Sequence, residues 1–187
     1  SYLNHDLQIS TIIKLRVIGR QQQLIRVDFE EKPSDQVLQD KLTRFTSLLA
    51  DFDVLILSDY AKGSLVNVST MIAAAKAQNK IVLVDPKGSD FAKYAGATML
   101  TPNKSELKQI IGEWRTEEEL THKVQALRQS LNLDAFLLTR SEEGMTLFTA
   151  NEVMHVPAMA REVYDVSGAG DTVIATLGLM LAAGSLA

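Results

Sequence analysis

Cysteine is absent from the chain, which excludes disulfides, thiolate nucleophiles and cysteine-ligated zinc together. That absence fits a reducing compartment, and a cytoplasmic location is expected from it. A basic excess is also missing. The formal net charge is −4, which argues against nucleic acid as a main partner, because binding a phosphate backbone needs a positive surface. No apolar run reaches the roughly 18 residues of a membrane-spanning helix; the best candidate, Val173 to Ala183, is shorter and carries Thr176 and Gly178. The three histidines, His5, His122 and His155, are too far apart for a ligand motif and read as surface or structural groups. The start, Ser1 to Asp6, is polar, lacks Met and shows no signal-peptide pattern. With an end directly after a helix, it suggests a piece of a longer chain.

What remains is an ordinary globular composition: 46% hydrophobic and 22% charged over 187 residues, long enough for one domain with a substantial core. Ile13, Leu15 and Val17, then Ile25, Val27 and Phe29, alternate with a period of two around the turn Gly19-Arg20-Gln21 and predict a strand pair. After the polar linker Glu30 to Ser34 the pattern becomes helix and strand in alternation. Short continuous apolar runs, Val54 to Leu57, Ile81 to Val84, Ala97 to Leu100 and Phe136 to Leu138, predict strands buried on both faces. Helical spacing fills the intervals, with Thr116 and Glu119 as a capping box. Two antiparallel strands, Met145 to Phe148 and Val153 to Val156, follow. A last helix runs from about Gly168 to Ala183, with Gly184 as its C-cap. Such alternation predicts an α/β fold whose mostly parallel sheet is covered by helices.

In sheets of this kind, ligands bind at the carboxyl ends of the strands. The residues expected there are Ser58 to Gly63, Asp85-Pro86-Lys87-Gly88, Thr101 to Glu106, Thr139-Arg140-Ser141, and Asp165 to Asp171. They mix carboxylates with Gly, Lys and Asn, a composition suited to phosphates and a metal. Gly168-Ala169-Gly170-Asp171 opens the last helix. Small residues there let a phosphate approach the free N–H groups of the first turn, and Asp171 lies where those donors converge. Phosphoryl transfer needs such donors and a carboxylate to take the proton of the attacking hydroxyl. Taken alone, the motif equally describes a Gly-rich helix entrance with a dipole-favoured acid. A Walker A loop does not occur, and a dinucleotide fingerprint fails at Val173. Asn103-Lys104-Ser105-Glu106 reads either as a phosphate and metal segment or as a capping box.

Asp165-Val166-Ser167-Gly168-Ala169-Gly170-Asp171 resembles the C-terminal signature of the ribokinase, or phosphofructokinase B-type, carbohydrate kinases. Asn103-x-x-Glu106 matches that family's second mark, in the right order on the right elements. With Ser58 to Gly63, Asp85 to Gly88 and Glu162-Val163-Tyr164-Asp165, the chain is similar, over essentially all of its length, to the heptose-7-phosphate kinases within the family.

The resemblance implies a ribokinase-like three-layer α/β/α sandwich with a small β lid. The lid would be 1–30 and the partial kinase core 31–187, with first strands expected before Ser1 and final helices after Ala187. It further implies transfer of the ATP γ-phosphoryl, with Mg2+, to the anomeric hydroxyl of D-glycero-β-D-manno-heptose 7-phosphate, giving the 1,7-bisphosphate for ADP-heptose synthesis. Asp171 would be the base and Gly168, Ala169 and Gly170 the anion hole. Asn103, Lys104, Ser105 and Glu106 would line the phosphates, Asn103 and Glu106 also serving the metal. Thr139, Ser141 and Gly144 would contact the nucleotide, and Asp59, Lys62 and Arg20 the sugar phosphate. Implied partners are a fused or separate nucleotidyltransferase domain and a second copy joined through the lid. Thr176 departs from the signature, where Ala or Gly is usual. Another sugar or nucleoside kinase of this fold, and a nucleotide-binding piece without turnover, remain open on the same motifs.

Overall fold

The computed structural model describes residues 10–20, 22–159 and 168–184. The first part of the expected lid segment, His5, Gln21 and the Glu162 to Ser167 part of the C-terminal signature lie outside the described residues.

The chain begins with a separate antiparallel pair, β1 (Ile13–Gly19) and β2 (Gln22–Phe29), in the register Ile13 to Phe29, Leu15 to Val27 and Val17 to Ile25. These cross-strand apolar pairs share one face, as a period of two requires. They are poorly covered: Ile13 is 58% exposed and Phe29 57%. A two-stranded ribbon is marginal by itself, and among the described residues this face is left largely open. Arg20 sits at the hairpin tip with φ +47, fully in solvent.

The remainder alternates helix and strand: α1 (Asp35–Leu48), β3 (Val54–Ser58), α2 (Val68–Ala77), β4 (Ile81–Asp85), β5 (Met99–Leu100), α3 (Lys104–Ile111), α4 (Glu117–Ser130), β6 (Ala135–Thr139), β7 (Met145–Thr149), β8 (Val153–Val156) and α5 (Ala169–Ala182). Strands β3 to β8 form one sheet in sequence order, parallel from β3 to β6 and antiparallel from β6 to β8.

Alternation along the buried strands divides the core into two layers. Val82, Val84, Leu100, Phe136 and Leu138 face one side and pack with Ile72, Leu107, Leu120 and Val124 from α2, α3 and α4. Leu83, Met99, Ala135 and Leu137 face the other and pack with Ile174 of α5. Each fully buried Leu or Phe contributes ~1.5–3 kcal/mol, so these layers, rather than any cap, carry the fold.

Two strand expectations need correction. β5 is only Met99–Leu100, because the Thr98 hydroxyl accepts from the Val82 N–H at 2.9 Å, where the ladder's approach begins. In β3, Ile56 is 42% exposed, since β3 is an edge of the described sheet and only part of it is overlain. What covers it is α5. A Cβ built on Gly178 would stand 3.1 Å from Ile56 Cδ1, so the helix lies close against the strand, and a larger residue there would need Ile56 to give by a few tenths of an ångström.

Candidate active site

Helix α5 is entered through Gly168, whose φ of +77 is left-handed and therefore suits glycine. Its first turn holds Ala169, Gly170 and Asp171, all exposed. The earliest bond into the helix runs from the Thr172 N–H to the Gly168 carbonyl at 2.9 Å. Among the described residues no hydrogen bond uses the amides of Ala169, Gly170 or Asp171, as the geometry of a helix start dictates. Ile174, three residues on, anchors this end against Leu83, Met99, Ala135 and Leu137. The donors are thereby held at the carboxyl ends of β3 and β4. Tyr60, just beyond β3, donates its hydroxyl to Asp171 Oδ1 at 3.2 Å.

Asn103 caps α3 and makes a complete capping box. Its Oδ1 accepts from the Glu106 N–H at 3.0 Å, and Glu106 Oε2 accepts from the Asn103 N–H at 3.0 Å. The Ser105 hydroxyl donates to the same Asn103 Oδ1 at 2.8 Å. Glu106 is nevertheless more than a cap. It is 6% exposed, and its Oε1 takes Lys87 Nζ at 2.6 Å, from the loop after β4. Beside them Asp85, half-buried at the end of β4, has its carboxyl pushed up to about 6, chiefly by burial and then by the charges of Glu106 and Asp171. Three carboxylates from three different elements thus feel one another, with Lys87 as partial compensation. Among the described residues no group of three or more His, Cys, Asp and Glu side chains forms a cage for a metal ion.

The crowding has a measurable sign. Asp85 holds its proton more tightly folded than unfolded, so its own contribution to stability is greatest at low pH and is lost as pH rises from about 4 through 6. In Mg2+-free buffer, Asp85→Asn should stabilise the protein above pH 7 by ~1 kcal/mol, a figure discounted for partial exposure. The gain should vanish near pH 4. Urea melts at the two pH values check this, and a destabilised variant at pH 8 would reverse the assignment.

Asp59 is placed differently from the sugar-lining position expected of it. It is 5% exposed, and both its oxygens are taken by the protein. Oδ1 accepts from the Ala61 N–H at 2.7 Å, while Oδ2 accepts from the Tyr94 hydroxyl at 2.6 Å and Lys93 Nζ at 2.8 Å. Burial raises the Asp59 carboxyl, but Lys93, Tyr94 and the amide outweigh it and hold the group below its usual range. The Tyr94 phenol is pushed up to about 12 by burial and by Asp59, and it also accepts from the Lys87 N–H at 3.1 Å. Asp59 therefore braces the loops after β3 and β4 from behind. Lys62 pairs with Glu30, just past the end of β2, and ties the hairpin to this loop. Arg20, at the hairpin tip, makes no contact with these groups among the described residues.

Thr139 ends β6 and joins Asn103 through an isolated parallel bridge, its N–H donating to the Pro102 carbonyl at 3.0 Å. A single 3-10 turn, Ser141–Glu143, follows. Ser141 has φ +54 and Gly144 φ +98. At Gly144 a Cβ would fall 2.1 Å from the Val156 carbonyl oxygen, so backbone, not side chain, enforces glycine. Lys104 Nζ pairs with Glu143, connecting this turn to the start of α3.

The expected phosphate, metal and nucleotide segments thus lie along one end of the sheet. Asp85 and Lys87 follow an apolar run just as the other strand-end residues do, and that position, with the family resemblance of Asp85 to Gly88, was their sequence signal. Lys93 and Tyr94 gave none, since they act through fold-dependent contacts; Arg140 stood among the expected strand-end residues, but its ion pairs were not legible. Residues 1–185 match the model of the pfkB family carbohydrate kinases. The D-beta-D-heptose 7-phosphate kinase of Bordetella bronchiseptica is 52% identical over 179 residues, 96% of this chain and 57% of the relative. The bifunctional protein HldE of Shewanella amazonensis is 54% identical over 176 residues, 94% of this chain and 37% of the relative. The chain therefore spans little more than half, or less, of the curated relatives it matches. Solved structures agree in fold at low identity. A point mutant of Escherichia coli phosphofructokinase-2 gives a TM-score of 0.70 at 16% identity, covering 86% of this chain and 55% of that one. Ribokinase from Arabidopsis thaliana, solved with ribose and ATP, gives 0.66 at 21% identity, covering 87% and 53%. The fold is accordingly a ribokinase-like α/β/α sandwich with a small accessory β-sheet, and the chain belongs to the pfkB family of carbohydrate kinases.

Proposed function

We propose that the chain is the catalytic core of a kinase that phosphorylates D-glycero-β-D-manno-heptose 7-phosphate at its anomeric hydroxyl, with ATP as donor. The observation that carries this reading is the meeting of the α5 entrance with Asp85 and Glu106: an amide donor cluster and an exposed acid beside two further carboxylates. The choice of sugar rests on the 52% identity to a heptose 7-phosphate kinase.

In this reading Asp171 takes the proton of the attacking hydroxyl, oriented by Tyr60. The amides of Gly168, Ala169 and Gly170 receive charge developing on the transferred phosphoryl oxygens. Lys104 and Ser105 line the phosphates, and Thr139, Ser141 and Gly144 seat the nucleotide. The donor set suits Mg2+: clustered carboxylates, one of them driven toward protonation by burial and then by its neighbours, are what a hard cation relieves, and Mg2+ keeps waters rather than demanding a closed cage. Asn103, Glu106 and Asp85 would hold it, in part through water. The ion supplies charge neutralisation on the phosphates. Lys62 and Arg20 stand on the sugar side, carried by the loop after β3 and by the hairpin.

We read 1–30 as the lid and 31–187 as the kinase core. The open apolar face of β1 and β2 supports a second copy as its cover, and a nucleotidyltransferase domain is the proposed companion, given the bifunctional relatives. The test is ADP release with a panel of acceptors: heptose 7-phosphate, fructose 1-phosphate and adenosine. Turnover should be fastest with the heptose phosphate, and sedimentation of the same preparation should give a dimer. Preference for another acceptor would overturn the substrate, and silence with all of them the kinase itself.

A further inference from the structure

Arg140 is 9% exposed, a degree of burial that costs an arginine several kcal/mol unless its charge is fully engaged. It directly follows β6. Its guanidinium forks onto Glu117, the first residue of α4, with Nη1 to Oε2 at 2.8 Å and Nη2 to Oε1 at 2.6 Å. Nε reaches Glu143 Oε2 at 2.9 Å, and Nη1 also reaches Thr146 Oγ1 on β7 at 3.3 Å. The backbone clasps the same turn: the Arg140 N–H donates to the Gly144 carbonyl at 2.8 Å, and its carbonyl accepts from Glu143 at 3.1 Å. Both carboxylates are held below their usual range, first by hydrogen bonds, from Arg140 to Glu117 and from Lys104 to Glu143.

One side chain therefore fixes a turn whose backbone is unfavourable at Ser141, a non-glycine residue with φ +54. Through Glu143 and Lys104 the same network reaches the start of α3. The two acids are largely wet, 66% and 42% exposed, while the arginine side chain is 10% exposed. An apolar residue would fill that space at less cost, so filling space does not account for it. What the guanidinium adds is geometry: a planar fork that sets one segment at a fixed distance from another.

The geometry points to Arg140 as a positioning residue for ATP, holding the Ser141–Gly144 turn in register with the Asn103–Glu106 segment. It sets nucleotide affinity and not the chemical step. This rests on the nucleotide reading of those two segments given above.

The experiment is calorimetric ATP binding and steady-state kinetics in the intact enzyme, with Arg140→Met, Arg140→Lys and Glu143→Gln. Arg140→Met should raise the Kd and KM for ATP about 10-fold, the equivalent of one lost buried charged bond. The sugar KM should stay within about twofold, since the sugar side shares none of these bonds. Arg140→Lys should recover only part of the loss, because an ammonium cannot fork. Glu143→Gln, on the surface, frees the turn without emptying the arginine site and should weaken ATP several-fold with little change in melting temperature. If Arg140→Met fails to fold, Glu143→Gln decides alone. Unchanged ATP affinity in Glu143→Gln and in every Arg140 variant that folds overturns the positioning role while leaving the kinase reading intact. A wild-type enzyme that binds no ATP overturns both.

Discussion

Asp171→Asn is expected to lower kcat by about 10³-fold, the usual worth of a positioned general base, while ATP affinity changes by no more than a few-fold. The substitution keeps shape and keeps an oxygen to accept from the Tyr60 hydroxyl, which now lies 3.2 Å from Oδ1. It removes the capacity to take a proton. Loss of folding does not confound the result. Asp171 is exposed, and a first-turn acid contributes only about 0.3–1 kcal/mol through the helix dipole. A small stability gain is even anticipated from Asp85, whose carboxyl is raised in part by the charge of Asp171. Turnover at saturating ATP and sugar phosphate is the measurement. A kcat within about tenfold of wild type would mean that the proton leaves by another route.

Glu106 permits a separation of two readings that the sequence alone could not make. As half of a capping box it accepts from the Asn103 N–H; as a charge it faces Lys87 and Asp85. Glutamine satisfies the first role and not the second, because a side-chain amide oxygen closes the same box. Glu106→Gln should therefore melt within ~1 kcal/mol of wild type while losing most turnover and weakening the dependence on Mg2+. Glu106→Ala should lose turnover and, in addition, ~2 kcal/mol of stability, since it opens the cap and removes the ion pair with Lys87. That corresponds to a drop of roughly 4–8 °C for a chain of this size. Full activity in the Gln variant would reduce Glu106 to a helix cap.

The elements were legible where a local rule dictates them. Continuous apolar runs marked β3, β4 and β6, and the spacing of Asn103 to Glu106 and of Thr116 to Glu119 marked two helix starts. The α5 entrance was legible for the same reason, as Gly168 and Asp171 are neighbours in sequence. What escaped is pairwise and distant. Asp59 was expected to line the site between sugar and phosphates, and the contacts that engage its Oδ2, from Tyr94 and Lys93 more than thirty positions away, could not be read locally. The edge exposure of Ile56 depends on which strands pair, not on its own neighbourhood. Arg140 was marked only as a strand-end residue, and its ion pair stayed hidden because Glu117, its main partner, precedes it by 23 positions.

The tight seat of Gly178 on Ile56 has a mechanical meaning for catalysis. Gly178 stands seven positions past Asp171, about 10 Å along the helix axis. Contact there sets how flat the rod lies, and the rod's far tip bears the groups that would greet the phosphate. A bulkier residue at this pivot would press on Ile56, and any tilt of the rod that relieved it would be carried to the tip. The aim of the proposed phosphate site would thus depend on a position that takes no part in its chemistry.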